Sequence, residues 1–462
     1  MPSPCIRRPM PMGASSQGRT GPSSTSSPTS PRPPRRNATT ASCLTRHGWD
    51  IEVTFFPARP PRLSYFCVHC PGAKPSIFPT EPQVIATDGG LALLHVATGH
   101  SEALSCASAH DYYVYRAHGA GGGPALELLP QPQLYMFHDK QVGLLSRGGE
   151  YTVAALRDDS STFFRDVDEH RPGQYDVCLL HSEDKVWTAM DVSVPPQLVK
   201  QHSDFEEGFR HVTDKVITIG GEYGTMAFAD LWRGILLYDV HRGDPMLRYI
   251  TTPHQLPDGK RPNSGAWVAR DIALVQGRIK FVETLMRGTS CCFSDGWVVC
   301  TWSRMATFPE GDSWCPSGVL QAPDITGENS PLHKDMRRRL LDDNGEPRLG
   351  LDRFNIGHPT LSLDDDDVVY FMVRLGKAKR WVVSIDMRLK TLERVAELGV
   401  GRIFGIGFTF IPTRISKYLN MARGTKGDLK RAGTLLSGSC SKRFIESSNV
   451  GTVEAEYDYS MV

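Results

Sequence analysis

Four consecutive acids, Asp364, Asp365, Asp366 and Asp367 in "LDDDDVV", form the densest set of metal-type ligands in this 462-residue chain. A hard cation such as Ca²⁺ takes several carboxylate and carbonyl oxygens, so the four aspartates are the candidate metal ligands. They lack the glycine and distal glutamate of a helix-loop-helix calcium loop. Adjacent side chains at a hairpin turn also diverge, and a solvated acidic turn is the favoured reading. A second set is Cys67, His69 and Cys70 in "YFCVHCPG", which raises zinc. In a strand Cys67 and His69 share one face while Cys70 points the other way, so all three converge only if the strand breaks at Pro71-Gly72. A second cysteine pair at zinc-finger spacing is missing, and the adjacent Cys291 and Cys292 are a poor substitute. A buried strand is therefore favoured over a metal site.

Other chemistries find less support. "LGVGRIFGIGF" (398–408) clusters glycines without the G-x-G-x-x-G spacing, and "GAGGGP" (119–124) has no Lys-Ser/Thr to complete a phosphate cradle. There is no G-x-S-x-G elbow and no paired-histidine metal helix. His110, His138, His181 and His358 flank strands or turns without marking a catalytic one. The basic run "MRRRLL" (336–341) is followed at once by two aspartates, which fits a solvated helix face better than a nucleic-acid patch. The expectation is a chain with no catalytic residues and no cofactor.

The most distinctive run is "FADLWRGILLYDV", residues 228–240. Asp230 and Gly234 bracket a Trp-Arg pair as a tight turn requires: Asp bonds nearby backbone N–H groups, and Gly tolerates positive φ. In a continuous strand Trp232, Leu236 and Tyr238 share one face, with Ile235 and Leu237 on the other. Apolar residues on both faces mark a strand packed from both sides. The run is best read as a blade hairpin; Arg233 is the side chain free to project, to clamp a neighbouring blade or an acidic partner residue, and Asp230, Trp232 and Arg233 are the candidate partner-binding residues.

These sets must be carried by strands. From Trp49 to about Arg402 short runs rich in Val, Ile, Tyr, Phe and Trp alternate with turn chemistry such as "DGG", "SRGGE" and "HRGD". A four-strand theme recurs in "QVIATDGGLALLHVA…DYYVYRA…ALELLP", "LLSRGGEYTVAAL…YDVCLLHSEDKVWTAMDVSVP", "KVITIGGEYGTMAFADLWRGILLYDV…PMLRYITTP", "DIALVQGRIKFVETL…GWVVCTWSRM" and "PTLSLDDDDVVYFMVRLGKAKRWVVSIDMRLKTLERVAEL". Four strands per unit at such a period is the signature of propeller blades. The expected fold is all-β, a single β-propeller-like body of five to six four-stranded blades over residues 49–415. A two-sheet sandwich leaves the repetition unexplained.

Flanking segments differ. Residues 1–48 are rich in Ser, Thr, Pro and Arg with no acid before Asp50, a composition that predicts a disordered tail. An organellar transit peptide is the alternative, although the prolines oppose an amphipathic helix. "SPLHKDMRRRLLDDNG" (330–345) predicts a helical insertion. Residues 416–462 predict a basic tail, helical over about 415–436 and disordered at the end, with Gly424, Gly427 and Gly433 weakening the helix.

Lys+Arg and Asp+Glu number 52 and 51, so no bulk basic surface is available for nucleic acid. No apolar run reaches the roughly 18 residues of a membrane span. Irregular, odd-numbered cysteines fit a reducing compartment, cytoplasm or nucleus.

The stretches "SYFCVHCPG", "EPQVIATDGGLALLHVA", "DLWRGILLYDV", "RDIALVQGRIKFVE" and "LSLDDDDVVYFMV" resemble the plant family labelled domain of unknown function 1618. The resemblance is densest over about 228–370 and extends more loosely over 49–415. It implies a plant protein with a β-propeller-like body and no assigned biochemistry. Some relatives carry an F-box ahead of this domain, whereas the N-terminus here lacks a leucine-rich helical pattern of that length. The expected function is a non-catalytic module that recognises a protein or peptide. The alternative is a propeller-type enzyme or small-ligand or metal binder using channel-facing acids and histidines.

Overall fold

The computed structural model describes residues 36–73, 77–99, 110–119, 121–132, 137–158, 172–203, 208–253, 265–286, 296–308, 312–325, 355–375, 379–398, 410–419 and 434–437. Its strands are β-branched and aromatic runs separated by glycine, aspartate and asparagine turns, and they assemble almost entirely by hairpin succession. Strands β1 (Ala41–Leu44), β2 (Asp50–Phe56) and β3 (Tyr65–His69) form a three-stranded antiparallel sheet. Five four-stranded antiparallel sheets follow, each in sequential order. Blade 1 is β4 (Gln83–Asp88), β5 (Leu91–Ala97), β6 (His110–Arg116) and β7 (Ala125–Leu128). Blade 2 is β8 (Val142–Arg147), β9 (Glu150–Asp158), β10 (Gln174–His181) and β11 (Trp187–Ser193). Blade 3 is β12 (Lys215–Gly220), β13 (Thr225–Asp230), β14 (Gly234–Asp239) and β15 (Arg248–Thr251). Blade 4 is β16 (Arg270–Val275), β17 (Arg278–Met286), β18 (Trp297–Met305) and β19 (Cys315–Gln321). Blade 5 is β20 (Asn355–Leu361), β21 (Val368–Leu375), β22 (Lys379–Asp386) and β23 (Thr391–Leu398). A last hairpin pairs β24 (Phe410–Thr413) with β25 (Thr434–Ser437).

The first strand of each blade lies innermost. These strands neighbour one another in the cycle β4, β8, β12, β16, β20, β24 and back to β4. The sixth position therefore takes its inner strand from the C-terminal part of the chain. The N-terminal sheet packs beside it, with β1 against the outer strand β7 of blade 1. Both parts of the chain close the ring, and the fold is an all-β propeller.

The core is a set of inter-blade interfaces. Leu93 and Val114 meet Leu144 and Val153 between blades 1 and 2. Val177 and Leu156 meet Phe228 and Tyr238 between blades 2 and 3. Ile235 and Leu237 meet Ile272 and Phe281 between blades 3 and 4, and Trp297 and Val299 meet Phe371 and Trp381 between blades 4 and 5. Val53 and Phe66 of the N-terminal sheet meet Val84 and Tyr113 of blade 1 around Ile415. Each such side chain contributes about 1.5–3 kcal/mol on full burial. Every middle strand is packed from both faces, so it is apolar on both.

Three expectations change. The segment 1–48 is not uniformly a tail, because residues 36–48 are built into the body and Ala41–Leu44 form β1. Arg36 pairs with Glu52, Asn37 donates to the Phe55 carbonyl at 3.0 Å, and Thr39 Oγ1 accepts the Phe55 N–H at 2.8 Å. These polar residues complete the β2 edge, a use that composition does not distinguish from solvation. The body also extends past 415, since Ile415 and Leu419 are buried. Of the helix expected over 415–436, the described residues form a 3-10 turn at Ile415–Lys417 and a strand at Thr434–Ser437, and 420–433 lie outside the described residues. Residues 434–437 are strand because the edge of β24 offers backbone groups to pair. The helix expected at 330–345 and the end of the chain lie outside the described residues. The described α-helix is Pro196–Gln201, opened by proline at its first position. Among the described residues no helix is long and apolar enough to cross a membrane.

Candidate functional site

Asp230 builds the turn between β13 and β14. Its Oδ1 accepts the N–H groups of Trp232 (3.0 Å) and Arg233 (3.2 Å), and its Oδ2 accepts that of Val212 (2.9 Å). Asp214 reciprocates by accepting the Leu231 N–H at 3.1 Å. Two aspartates thus stitch the chain leading into β12 onto the 231–233 turn, and Asp230 is fully buried. The strand is broken there, so Trp232 packs with Ile235 and Leu237 towards blade 4, not with Leu236 and Tyr238. Gly234 is required for space and not for positive φ. A Cβ would lie 2.5 Å from the Tyr249 ring and 2.6 Å from the Ile250 carbonyl oxygen. Gly234→Ala is expected to cost about 1–3 kcal/mol by overpacking, read as a lower urea midpoint at unchanged slope.

Arg233 does not project. Its side chain is 15% exposed and lies 3.9 Å from Asp230. The inter-blade clamp comes from the other side. Arg270 of β16 is buried, donates from Nε to Glu283 at 2.8 Å and from Nη1 to the Leu231 carbonyl at 3.0 Å, and lies over the Trp232 ring at 4.4 Å. Burial pulls the Arg270 guanidinium below its ordinary value, while Glu283 and then Asp230 act to raise it. Asp230, Trp232, Arg270 and Glu283 are one buried junction between blades 3 and 4. The candidates Asp230, Trp232 and Arg233 meet here, and the first two are built into architecture. Sequence reading missed Arg270 and Glu283. Their signal is a charge inside an otherwise apolar strand, as in "RDIALV" and "KFVETL".

The four aspartates lie in the 362–367 turn between β20 and β21, and their carboxylates diverge. Asp364 accepts Arg414 Nε at 3.1 Å and also Lys417, Asp366 meets Lys280 at 2.9 Å, and Asp367 meets Arg388 at 3.0 Å. As a shared metal cage the candidate fails, because each of these three carboxylates faces cations of a different element. Among the described residues no group of three His, Cys, Asp or Glu is placed to hold a metal ion. Asp364 instead ties blade 5 to the closing segment after β24. Asp364→Ala is expected to cost about 1 kcal/mol, discounted for the half-exposed cations. Hydrogen exchange should then rise in β24 but not in blade 3, and added Ca²⁺ should leave melting unchanged.

Cys67, His69 and Cys70 are buried in and beside β3. Burial pushes the Cys70 thiol up to about 12, away from a metal-binding thiolate. His138 is exposed, and His181 Nδ1 shares a hydrogen bond with Thr152 at 2.9 Å. His358 sits at φ 51 on a bulge of β20, and burial followed by the Arg380 charge pulls its imidazole down to about 4. His110 belongs to a relay: Asp139 Oδ2 meets His95 Nδ1 at 2.7 Å, and His95 Nε2 meets His110 Nδ1 at 2.8 Å. Nothing in "LLHVA" flags His95, since the contact is non-local. The glycine run 399–408, Cys291, Cys292 and "MRRRLL" lie outside the described residues.

The two ends of the ring differ. Connections at one end of the strands are the shorter set: 89–90, 148–149, 221–224, 276–277 and 362–367 within the inner hairpins, and 117–124, 182–186, 240–247, 306–314 and 387–390 farther out. At the opposite strand ends the sequence between successive strands is longer: 12 residues separate β5 from β6, 13 separate β7 from β8 and 20 separate β11 from the residue before β12, with the described parts of these connections at 129–132, 137–141, 194–203 and 208–214. The 231–233 turn, the Asp139–His95–His110 relay and the short turns at Asp139–Gln141 and Ala266–Val268 belong to this long-connection face. There Lys140 Nζ stands 3.3 Å from the centre of the Trp267 ring, joining segments that lead into blades 2 and 4.

Residues 228–370 match the family model described as protein of unknown function (DUF1618). The match spans β13 to β21 and contains both the blade 3–4 junction and the aspartate turn. No curated protein matches the chain. Among solved structures, the chain is similar to a subtype N10 neuraminidase-like protein from a little yellow-shouldered bat strain, with 10% identity over 77% of this chain and 88% of that one, TM-score 0.33. It is also similar to a hypothetical selenium-binding protein from Sulfolobus tokodaii (10% identity, 78% and 74% covered, TM-score 0.33). A third is the WD40 domain of SCAP from fission yeast (10% identity, 79% and 78% covered, TM-score 0.30). At this level of similarity no activity of these proteins transfers to the chain.

Proposed function

We propose that this propeller, whose residues 228–370 carry the match to the family of unknown function, is a non-catalytic module that recognises a protein or peptide through its long-connection face. The observation that carries the reading is the division of labour between the faces. At one end the strands are joined by short turns, where Asp88, Asp364 and Asp366 are spent on neighbouring elements, while at the other end the sequence between strands is longer. Loops mounted on a rigid scaffold are where recognition residues concentrate. Its place is the cytoplasm or nucleus of a plant cell, a reading supported by thiols that stay free at all six described cysteines. The test is capture of partners by the full chain and by two variants. Replacing 98–109 and 159–171 with Gly-Ser linkers should remove the partners, while Tyr223→Ala on the short-turn face should keep them. The opposite pattern contradicts the reading.

A second reading, a small-ligand or hydrolytic propeller, is favoured by the Asp139–His95–His110 relay alone. A carboxylate fixing the tautomer of one imidazole, which in turn orients another, is an arrangement suited to proton transfer. Turnover of a small ester or glycoside that His110→Gln abolishes, with folding intact, would establish it over the first.

A further inference from the structure

Trp267 is placed with unusual care for a half-buried residue in a connection. The 3-10 turn Ala266–Val268 holds it, and Gly265 lies so close that a Cβ there would sit 2.2 Å from the indole. Over the ring stands the ammonium of Lys140, from the turn that leads into blade 2. Asp214 immediately precedes β12, and the Lys140 turn packs against β12. The Asp214 charge acts on Lys140 in opposition to burial, which lowers the lysine from its ordinary value. An indole face with a carboxylate at hand is the recognition set for an alkylammonium group. Here that set is filled from within the chain by Lys140, itself half-buried against the ring.

We propose that Trp267 and Asp214 form a recognition site for a lysine-type ammonium of a peptide partner, and that Lys140 occupies it in cis as a built-in competitor. The proposal rests on the reading of the long-connection face as the recognition surface and names the chemistry that face selects. A partner lysine displaces Lys140, whose ammonium then returns to water. The connection into blade 2 is released at the same time, so binding and loosening of that turn are one event.

The experiment uses the full chain and two probes, Nα-acetyl-lysine methylamide and tetramethylammonium, titrated at constant ionic strength and followed by ligand-observed NMR. Lys140→Met keeps the aliphatic stem and removes the competing charge. It is expected to bind both probes about tenfold more tightly than the unaltered chain. Adding Trp267→Ala should erase the gain, and adding Asp214→Asn should reduce it. Equal affinity of the unaltered chain and Lys140→Met overturns the proposal, as does a gain that survives Trp267→Ala. A lower melting temperature without a gain identifies the contact as a staple between blades and also overturns it. Should Lys140→Met fail to fold, Lys140→Gln carries the same comparison. The recognition reading is judged separately: partners lost on replacing 98–109 and 159–171 uphold it whatever the probes do, and a probe gain without any partner on that face contradicts it alone.

Discussion

Glu283→Ala is expected to lower the free energy of unfolding by about 3–5 kcal/mol, the cost of leaving a buried charge without its ion-pair partner. Arg270 is the group left behind. Its guanidinium keeps the Leu231 carbonyl and the Trp232 face as neighbours, and of the carboxylates only the charge of Asp230, which acts on it less than that of Glu283. A typical domain holds only about 5–15 kcal/mol in reserve, so this one substitution removes a large share. Two chemical-denaturation curves read the effect as a fall in midpoint at constant slope. The double variant Arg270→Met, Glu283→Leu should recover most of the loss, because replacing both charges with apolar groups removes the desolvation cost along with the pair. A double variant as unstable as Glu283→Ala would show that packing, and not the lone charge, governs the junction.

Asp230→Ala is expected to cost about 2–5 kcal/mol by a different route. It orphans the buried N–H groups of Trp232 and Val212, each worth about 1–3 kcal/mol when left without an acceptor. Asp230→Asn should fall between, since one amide oxygen replaces two carboxylate oxygens. Arg233→Ala is expected to change stability by less than either. Its guanidinium lies 3.9 Å from Asp230, beyond hydrogen-bond distance, and the backbone bond from Arg233 N to the Asp230 carbonyl at 3.1 Å is untouched. Ranking the three variants by urea midpoint checks the assignment of the clamp to Arg270 in place of Arg233.

Much of the architecture was legible because it is written in local pattern. The units beginning "QVIATDGG", "LLSRGGEY" and "KVITIGGEY" correspond to blades 1, 2 and 3, with the turn residues at the hairpins. Strand β19, "CPSGVLQ", escaped because an exposed outer strand carrying proline and glycine has no apolar alternation to read. The N-terminal strand "ASCL" escaped for a related reason: four residues in a Ser/Thr-rich segment gain strand form only from pairing with β2. At the candidate sites, local chemistry was readable and partnership was not. The Asx turn at Asp230 follows from Asp-x-x-Arg-Gly, but the burial of Trp232 under Arg270 depends on residues from the next blade. The acids at 364–367 look like one ligand set in sequence, yet three of them face cations at positions 280, 388, 414 and 417, which no short-range pattern announces. The His95–Asp139 and Lys140–Trp267 contacts are non-local in the same way.

The most direct test of the central claim is hydrogen exchange of the chain alone and bound to a captured partner. Protection on binding should appear in the segments leading into β8, β12 and β16, at 137–141, 208–214 and 265–269, with the 89–90, 148–149 and 276–277 turns unchanged. Protection confined to those turns, with the long-connection face exchanging as in the free chain, would contradict the account.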